Sequence, residues 1–320
     1  MEYFSSAWMW GGFSIFLVLA LCIDTLLIGK YRARSKETWR AALFWTIFWI
    51  ACALIFNVFI WVYLSAVADV VTANSMALLF LTAYLVEKSL SLDNLFVFYL
   101  IFKHFNIPAH LQHRVLSYGI WGAVIMRLAI ILAGLWLISH FHWLIYVMGA
   151  FLFFTGVKIM IVKEEEKDLS ETFILRMCKK LFRVTHEFSG EQFFVRHNSL
   201  LYATPLFIAL IFIEFSDLIF AVDSIPAVFA ITRDPFIVWT SNIFAILGLR
   251  AMYFLLARMV EELALLKYGI ALILIYVGAK MMVEPWVHIP TGVSLAVIFS
   301  LILIFSILSY ISITFARQRK

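Results

Sequence analysis

The stretch EFSDLIFAVDSIP, residues 214–226, decides how the chain is interpreted, because it places three carboxylates inside an apolar run from about residue 200 to residue 231. The three acids are Glu214, Asp217 and Asp223. A charged side chain at the centre of a membrane helix costs about 2.5–3.5 kcal/mol on insertion scales. These acids therefore need partners, protons or a bound cation.

A second stretch, YLVEKSLSLDNLF at residues 84–96, has the same arrangement of acids. Its Glu87 and Asp93 are six positions apart, as are the last two acids of the first stretch. A polar residue follows the second acid in both stretches, Asn94 here and Ser224 there. We interpret the two stretches as two halves of one site.

The composition places the chain in the membrane class before any motif is considered. Hydrophobic residues make up 64% of the 320 positions, charged residues only 14%, and the mean hydropathy is +0.97. A soluble domain would need more polar surface. Since a span needs about 20 apolar residues, the sequence predicts an all-α polytopic membrane protein of about nine transmembrane helices, at residues 11–29, 41–64, 76–102, 115–138, 142–162, 200–230, 236–257, 267–284 and 289–316.

The lysines and arginines of the connecting segments predict the orientation of these spans. Eighteen lie in alternate loops and the C-terminal tail, and one, Arg233, lies in the other loops, with Lys163 set aside as a boundary residue. By the positive-inside rule, the N-terminus is then periplasmic and the C-terminus cytoplasmic. The positive net charge is thus a topology signal, and we expect no nucleic-acid partner.

The similarity between the two acidic stretches extends into the helices that follow. Arg127 corresponds to Arg250, one helix after each pair of acids, and a Tyr and a Lys twelve positions apart recur one helix further on, as Tyr146 with Lys158 and Tyr268 with Lys280. A repeat of three helices must re-enter the membrane from the opposite side, so this pattern predicts an inverted repeat with a site near the bilayer midplane. The candidate helix interruptions are SLSLDN and the turn at Pro226.

This repeat divides the chain into five parts. They are two N-terminal helices (1–75), the first repeat (76–162), a cytoplasmic loop (163–199), the second repeat (200–284), and a C-terminal helix with a basic tail (285–320). In the loop, apolar residues at helical spacing indicate either a surface helix or an ordinary solvated connector; they are Phe173, Ile174, Met177 and Leu181. HEFSGEQFFVRHN predicts a small hairpin that turns at Ser189-Gly190.

Several long motifs resemble the TerC family of membrane proteins, and in particular its bacterial Alx-type members. They are EKSLSLDN, ATPL, EFSDLIFAVDSIPA, TSNIFAILGLRAMYF and LKYG, together with WGGF and DPFIV. The resemblance implies an inner-membrane protein related to the LysE-type exporters, with manganese(II) efflux as the family activity and tellurite resistance as its historical label. It also implies that the membrane acids of the family fall on Asp24, Glu87, Asp93, Glu214, Asp217 and Asp223.

The ligand types point to a hard cation independently of that resemblance. Carboxylates beside Asn94 and Ser224 offer oxygen ligands, which suit magnesium, calcium or manganese. The eight histidines all fall in loops or at span ends, and no cysteine lies in the acidic motifs. Zinc and copper sites would use those softer ligands, so we expect a divalent metal ion and the lipid bilayer as partners, and no cofactor beyond bound or transported manganese(II).

A plainer interpretation is that the membrane acids pair with membrane bases. Lys158 and Lys280 lie near helix ends, where they reach the headgroups, which leaves Lys88, Arg127 and Arg250 for six acids. We predict that the two arginines are structural counter-ions. Asp24 lies near the cytoplasmic end of its helix, so an entrance role is as compatible with the sequence as direct ligation.

Two classes of function therefore stay open at this stage. The first is a transporter that exports a divalent metal through the carboxylates, with proton influx or the metal's own gradient as the driving force. The second is a metal-responsive membrane scaffold that assists insertion, quality control or metal loading of other proteins. No span carries a hydrolase or ATP-binding signature, so we expect no enzyme activity.

Overall fold

The computed structural model describes residues 7–25, 39–141, 143–161, 180, 182–185, 190–197, 200–256, 266–283, 286–287 and 289–318. These residues form ten helices and one two-stranded hairpin. The elements are α1 (Ala7–Ile23), α2 (Trp39–Val67), α3 (Val70–His104), α4 (Ala109–His140), α5 (Leu144–Ile161), β1 (Phe194–His197), β2 (Leu200–Ala203), α6 (Pro205–Phe229), α7 (Pro235–Ile246), α8 (Leu249–Leu256), α9 (Leu266–Val283) and α10 (Thr291–Gln318).

The prediction of an all-α polytopic membrane protein is confirmed. Within the described ranges, six helical segments are long and apolar enough to cross a membrane, and three shorter apolar helices accompany them. The number of nine spans and their orientation stay predictions. At the centre lies α7, whose residues from Phe236 to Ile246 are all buried against α1, α2, α3 and α4.

The acidic stretch at residues 84–96 lies on an unbroken helix, so the predicted interruption at SLSLDN is wrong. Helix α3 begins at the N-cap Asp69, whose carboxylate accepts hydrogen bonds from the backbone N–H and hydroxyl of Thr72, and these bonds lower the pKa of Asp69. The helix then runs through residues 87–94. Ser89 donates to the carbonyl of Leu85 at 2.6 Å, so its hydroxyl is satisfied within the helix and does not compete with it.

The prediction of a break at Pro226 is also wrong. Helix α6 continues through the proline to Phe229. A proline removes one hydrogen bond of the helix interior, but this one lies three positions before the helix ends, and the N–H of Ala230 still bonds to its carbonyl. The acidic stretch at residues 214–226 is therefore as continuous as the one at residues 84–96.

The interruption lies instead between α7 and α8, inside the predicted span 236–257. Gly248 has a φ of +85°, which L-residues other than glycine rarely adopt. A Cβ at this position would also lie 2.9 Å from the Cβ of Trp49. The chain turns here and resumes as α8, which carries Arg250.

Close packing of α5 on α9 supports the predicted repeat. Gly149 packs against Gly278, and Gly156 packs against Ala271, so closely that an added Cβ on Gly278 or Gly156 would lie 2.6 Å from the facing carbonyl oxygen. In the alignment of the two repeats, Gly149 corresponds to Ala271 and Gly156 to Gly278. Reciprocal contacts of this kind are those that two-fold-related elements make, although the repeat itself stays a prediction.

The segment between α5 and α6 contains a hairpin other than the predicted one. The strand β1 pairs forward with β2, with Phe194 opposite Ala203, whereas the predicted hairpin turned at Ser189-Gly190 and used residues 186–189, which lie outside the described residues. Residues 200–203 are free to form a strand because Thr204 and Pro205 begin α6 only after them. The predicted surface helix around residues 173–181 lies outside the described residues.

Candidate functional site

The buried guanidinium of Arg127 joins the two acidic stretches. Arg127 lies on α4 with 1% of its surface exposed, and Glu87 is completely buried. Nη1 of Arg127 donates to Glu87 Oε2 at 2.9 Å. Its Nη2 and Nε donate to the two oxygens of Asp217 at 3.0 and 3.2 Å. One acid from α3 and one from α6 thus share a single arginine, which makes a two-point contact with Asp217.

Two asparagines complete this network. Asn242 on α7 accepts from Arg127 Nη1 at 2.9 Å and donates to Glu87 Oε1 at 2.7 Å. Asn94 donates to Asp217 Oδ1 at 3.4 Å. All four carboxylate oxygens of Glu87 and Asp217 therefore have a hydrogen-bond partner, as buried charges require.

Other oxygens beside this network have no such partner. Glu87, Ser91 and Asn94 follow each other at helical spacing on α3, so they share one face. Among the described atoms, the hydroxyl of Ser91 and the Oδ1 of Asn94 are buried without a hydrogen-bond partner. On α6, the hydroxyl of Ser224 lies beside Glu87 but makes no hydrogen bond of acceptable geometry within the described structure. Buried acceptors of this kind are the groups that a cation would use.

Glu214 supplies a third carboxylate, one turn before Asp217 on α6. It lies directly against Gly122 of α4, where an added Cβ would overlap the carboxylate. Its Oε2 is buried with no hydrogen-bond partner in the described part of the chain, and no lysine or arginine there forms an ion pair with it. Three carboxylates and one guanidinium leave the group with a formal charge of −2 when all are ionised.

Asp93 and Asp223 were predicted as ligands, but their side chains lie outside the described structure. Their backbones belong to the continuous helices α3 and α6. Each position lies six residues after Glu87 or Asp217, a rotation of about 240° around the helix axis. Among the described residues no three Asp, Glu, His or Cys side chains are close enough to hold a metal ion, and Arg127 stands between Glu87 and Asp217.

Asp24 lies in a separate polar cluster. Its carboxylate forms an ion pair with Arg250 Nη2 at 2.9 Å, and its backbone carbonyl accepts from the same nitrogen. Nη1 of Arg250 donates to Ser117 Oγ at 2.7 Å. The two corresponding arginines therefore have different partners, since Arg127 binds acids of α3 and α6 and Arg250 binds Asp24, which directly follows α1.

Lys88 binds the C-terminal end of α7 rather than an acid. Its Nζ donates to the carbonyls of Ala245 and Leu247, at 3.2 and 3.4 Å, where α7 ends. No described carboxylate lies within ion-pair distance of it. A cation is favourable at a helix C-terminus because the last carbonyls have no partner within the helix.

The sequence did not single out Asn242 or Gly122. Asn242 is part of TSN, three polar residues in a row within an apolar span, and polar residues at that depth are a signal in their own right. Gly122 gave no signal, because its role comes from the side chain that packs on it from another helix.

Comparison with known proteins agrees with the membrane architecture. Residues 72–320 match the family described as "Integral membrane protein TerC family". The chain is 51% identical to a Salmonella typhi protein, over 92% of each chain, and 48% identical to one from Escherichia coli K12, over 97% of each. Both are named "Putative membrane-bound redox modulator Alx". An uncharacterized membrane protein of Myxococcus xanthus is 43% identical over 92% of this chain and 89% of its own. No solved structure matches the chain.

Proposed function

The chain belongs to the TerC family of integral membrane proteins, and from that premise we propose that it exports a divalent metal cation, manganese(II), across the bacterial inner membrane. The observation that carries the proposal is the group of buried oxygens between α3, α4, α6 and α7. It contains three carboxylates against one guanidinium. Ionisable residues buried in a membrane-spanning bundle commonly mark the pathway of an ion or a substrate.

The chemistry of this group favours a hard divalent ion. Its described members are carboxylates, amides, hydroxyls and one guanidinium, and none of them exchanges electrons. Carboxylate and amide oxygens suit manganese, magnesium and calcium, whereas imidazole and thiolate would suit zinc or copper. The negative formal charge of the group also favours a cation over an anion or a neutral solute.

The position of the group also fits transport. Glu87 lies on α3 of the first predicted repeat and Asp217 lies on α6 of the second. Transporters built from inverted repeats place their ion sites between the repeats, so that rocking of one repeat against the other exposes the site to each side in turn.

The contacts of Arg127 agree equally with a purely structural ion pair, and Glu214 separates the two interpretations. Replacing Glu87 or Asp217 leaves a buried arginine short of a partner, which destabilises strongly in any case. Glu214 has no described basic partner, so Glu214→Gln keeps the ion pairs intact. If Glu214 only fills space, the amide variant behaves as the wild type.

The test is manganese flux into proteoliposomes that contain the purified full-length protein alone. We expect flux in the wild type, and a loss of at least about tenfold in Glu214→Gln, because a charged ligand contributes more than 1.4 kcal/mol. The control is Glu191→Gln, which removes an exposed acid paired with Arg114 at the surface. Absence of flux in the wild type would refute transport and leave the membrane-scaffold function as the alternative.

A further inference from the structure

Arg127 occupies the two acids that a transported metal would need. Three of its nitrogens donate to Glu87, Asp217 and Asn242 at 2.9–3.2 Å. Among these acceptors are three of the four oxygens of the two carboxylates, and the fourth accepts from Asn242. The pair is therefore fully hydrogen-bonded without a metal.

A metal ion cannot bridge Glu87 and Asp217 while the guanidinium stands between them. Divalent ions of this class lie about 2.0–2.6 Å from their oxygen ligands, which is inside the space that the Arg127 nitrogens occupy. The guanidinium also keeps its proton in proteins, so its charge cannot be removed to make room. When a metal bridges Glu87 and Asp217 from the position that the guanidinium now holds, the arginine must move out of the space between the two acids.

We propose that Arg127 is the tethered counter-ion of the empty carrier, and that its guanidinium and the metal alternate on Glu87 and Asp217. This inference rests on the proposed transport function. After releasing its metal, a carrier must change conformation again with two carboxylates inside a low-dielectric interior. Uncompensated buried charges oppose that step strongly, and Arg127 supplies the compensation from within the chain.

The inference separates two modes of transport. Exchange of metal for metal needs only the loaded carrier to change conformation, whereas net export also needs the empty carrier to return. Removing the guanidinium should therefore impair net export far more than exchange. A residue that only holds the fold together would affect both modes in the same proportion.

Arg250 provides the matched control. It corresponds to Arg127 in the other predicted repeat, and like Arg127 it has only 1% of its surface exposed. It also forms an ion pair with a buried acid, Asp24. It makes no described contact with Glu87 or Asp217. Arg250→Gln therefore removes a comparable buried ion pair without changing the charge on the central acids.

The experiment measures radioactive manganese(II) uptake by proteoliposomes in two conditions, with manganese on both sides for exchange and on one side for net flux. For Arg127→Gln we expect the ratio of net flux to exchange to fall at least about tenfold, because the empty carrier would then return with two buried carboxylates and no counter-ion. Arg127→Lys keeps the positive charge and should retain most of the wild-type ratio. In Arg250→Gln both modes should change together.

A double variant tests the same inference in case Arg127→Gln alone misfolds. Glu87→Gln combined with Arg127→Gln leaves the same formal charge, −1, on the group of residues 87, 127 and 217 as in the wild type, so its ratio should recover even if its absolute flux is low. A wild-type ratio in Arg127→Gln would overturn this inference while leaving the transport function intact. A wild type that carries no manganese in either mode would overturn both.

Discussion

Replacing Asn242 by alanine should destabilise the protein measurably, although the residue touches no lipid and fills little volume. The change removes two hydrogen bonds to charged groups, from Arg127 Nη1 at 2.9 Å and to Glu87 Oε1 at 2.7 Å. It leaves that oxygen of Glu87 buried without a described partner. Arg127 therefore loses one acceptor, and the buried carboxylate of Glu87 loses the donor to its Oε1.

The expected magnitude follows from these two bonds. Hydrogen bonds to charged groups contribute about 1.5–3 kcal/mol each in soluble proteins, whereas measured polar couplings inside membrane proteins average about 0.6 kcal/mol and reach about 1.7. The lower scale applies because the unfolded chain in a membrane also finds partners. Adding the penalty of the orphaned oxygen, we expect the free energy of unfolding to fall by about 2–3 kcal/mol.

The assay is reversible unfolding in mixed micelles, followed by the fluorescence of the 11 tryptophans. Thr240→Ala is the control on the same buried helix, because the hydroxyl of Thr240 donates to the carbonyls of Phe236 and Ile237 within α7 and to no charged group, and its loss should cost less than about 1 kcal/mol. A double-mutant cycle of Asn242→Ala with Glu87→Gln should show a coupling of at least about 0.5 kcal/mol. If Asn242→Ala costs no more than Thr240→Ala, the hydrogen-bond network does not stabilise the site as argued.

Four further predictions concern Glu214, Lys88, the topology of the chain and the driving force of export. Gly122→Ala should weaken manganese binding in equilibrium titrations by displacing the carboxylate of Glu214, whereas Gly119→Ala should bind as the wild type does, since a Cβ there meets only methyl groups, the nearer at 3.1 Å. Lys88→Met should lower the free energy of unfolding by about 2 kcal/mol, because two carbonyls at the end of α7 lose their donor, and Lys88→Arg should recover part of it; equal stability of both variants would contradict the assignment. A reporter active only in the periplasm should be silent when fused after Lys320 and active in the turn between α2 and α3, and the reverse pattern would invert the topology. At a fixed metal gradient and clamped membrane potential, an imposed inward proton gradient should accelerate manganese export from proteoliposomes, and indifference to it would indicate a passive carrier.

The sequence predicted the class of the protein because hydropathy and charge patterning are local properties. Apolar runs of span length indicate membrane helices wherever they occur. Both acidic stretches were recognised as related from spacing alone, and the structure places Glu87 of one and Asp217 of the other on the same arginine. Spacing could not show that partnership, because it depends on how three helices distant in sequence pack together.

The errors of prediction have local physical causes. The hydroxyl of a serine can donate to a carbonyl of its own helix, as Ser89 does, so SLSLDN does not interrupt α3. A proline near the end of a helix removes only one hydrogen bond, so Pro226 does not interrupt α6. The break occurs at Gly248, where the neighbouring Trp49 leaves no room for a side chain. Such a requirement becomes visible only when the facing helix is known.

The position of that break separates two polar clusters that the sequence places in one span. Asn242 lies before Gly248 and contacts Glu87 and Arg127, whereas Arg250 lies after it and contacts Asp24 and Ser117. In an unbroken helix the two residues would be rigidly linked. Because the chain turns at Gly248 instead, and Lys88 satisfies the carbonyls that the turn exposes, the contacts of Arg250 can change without moving the amide that holds Glu87.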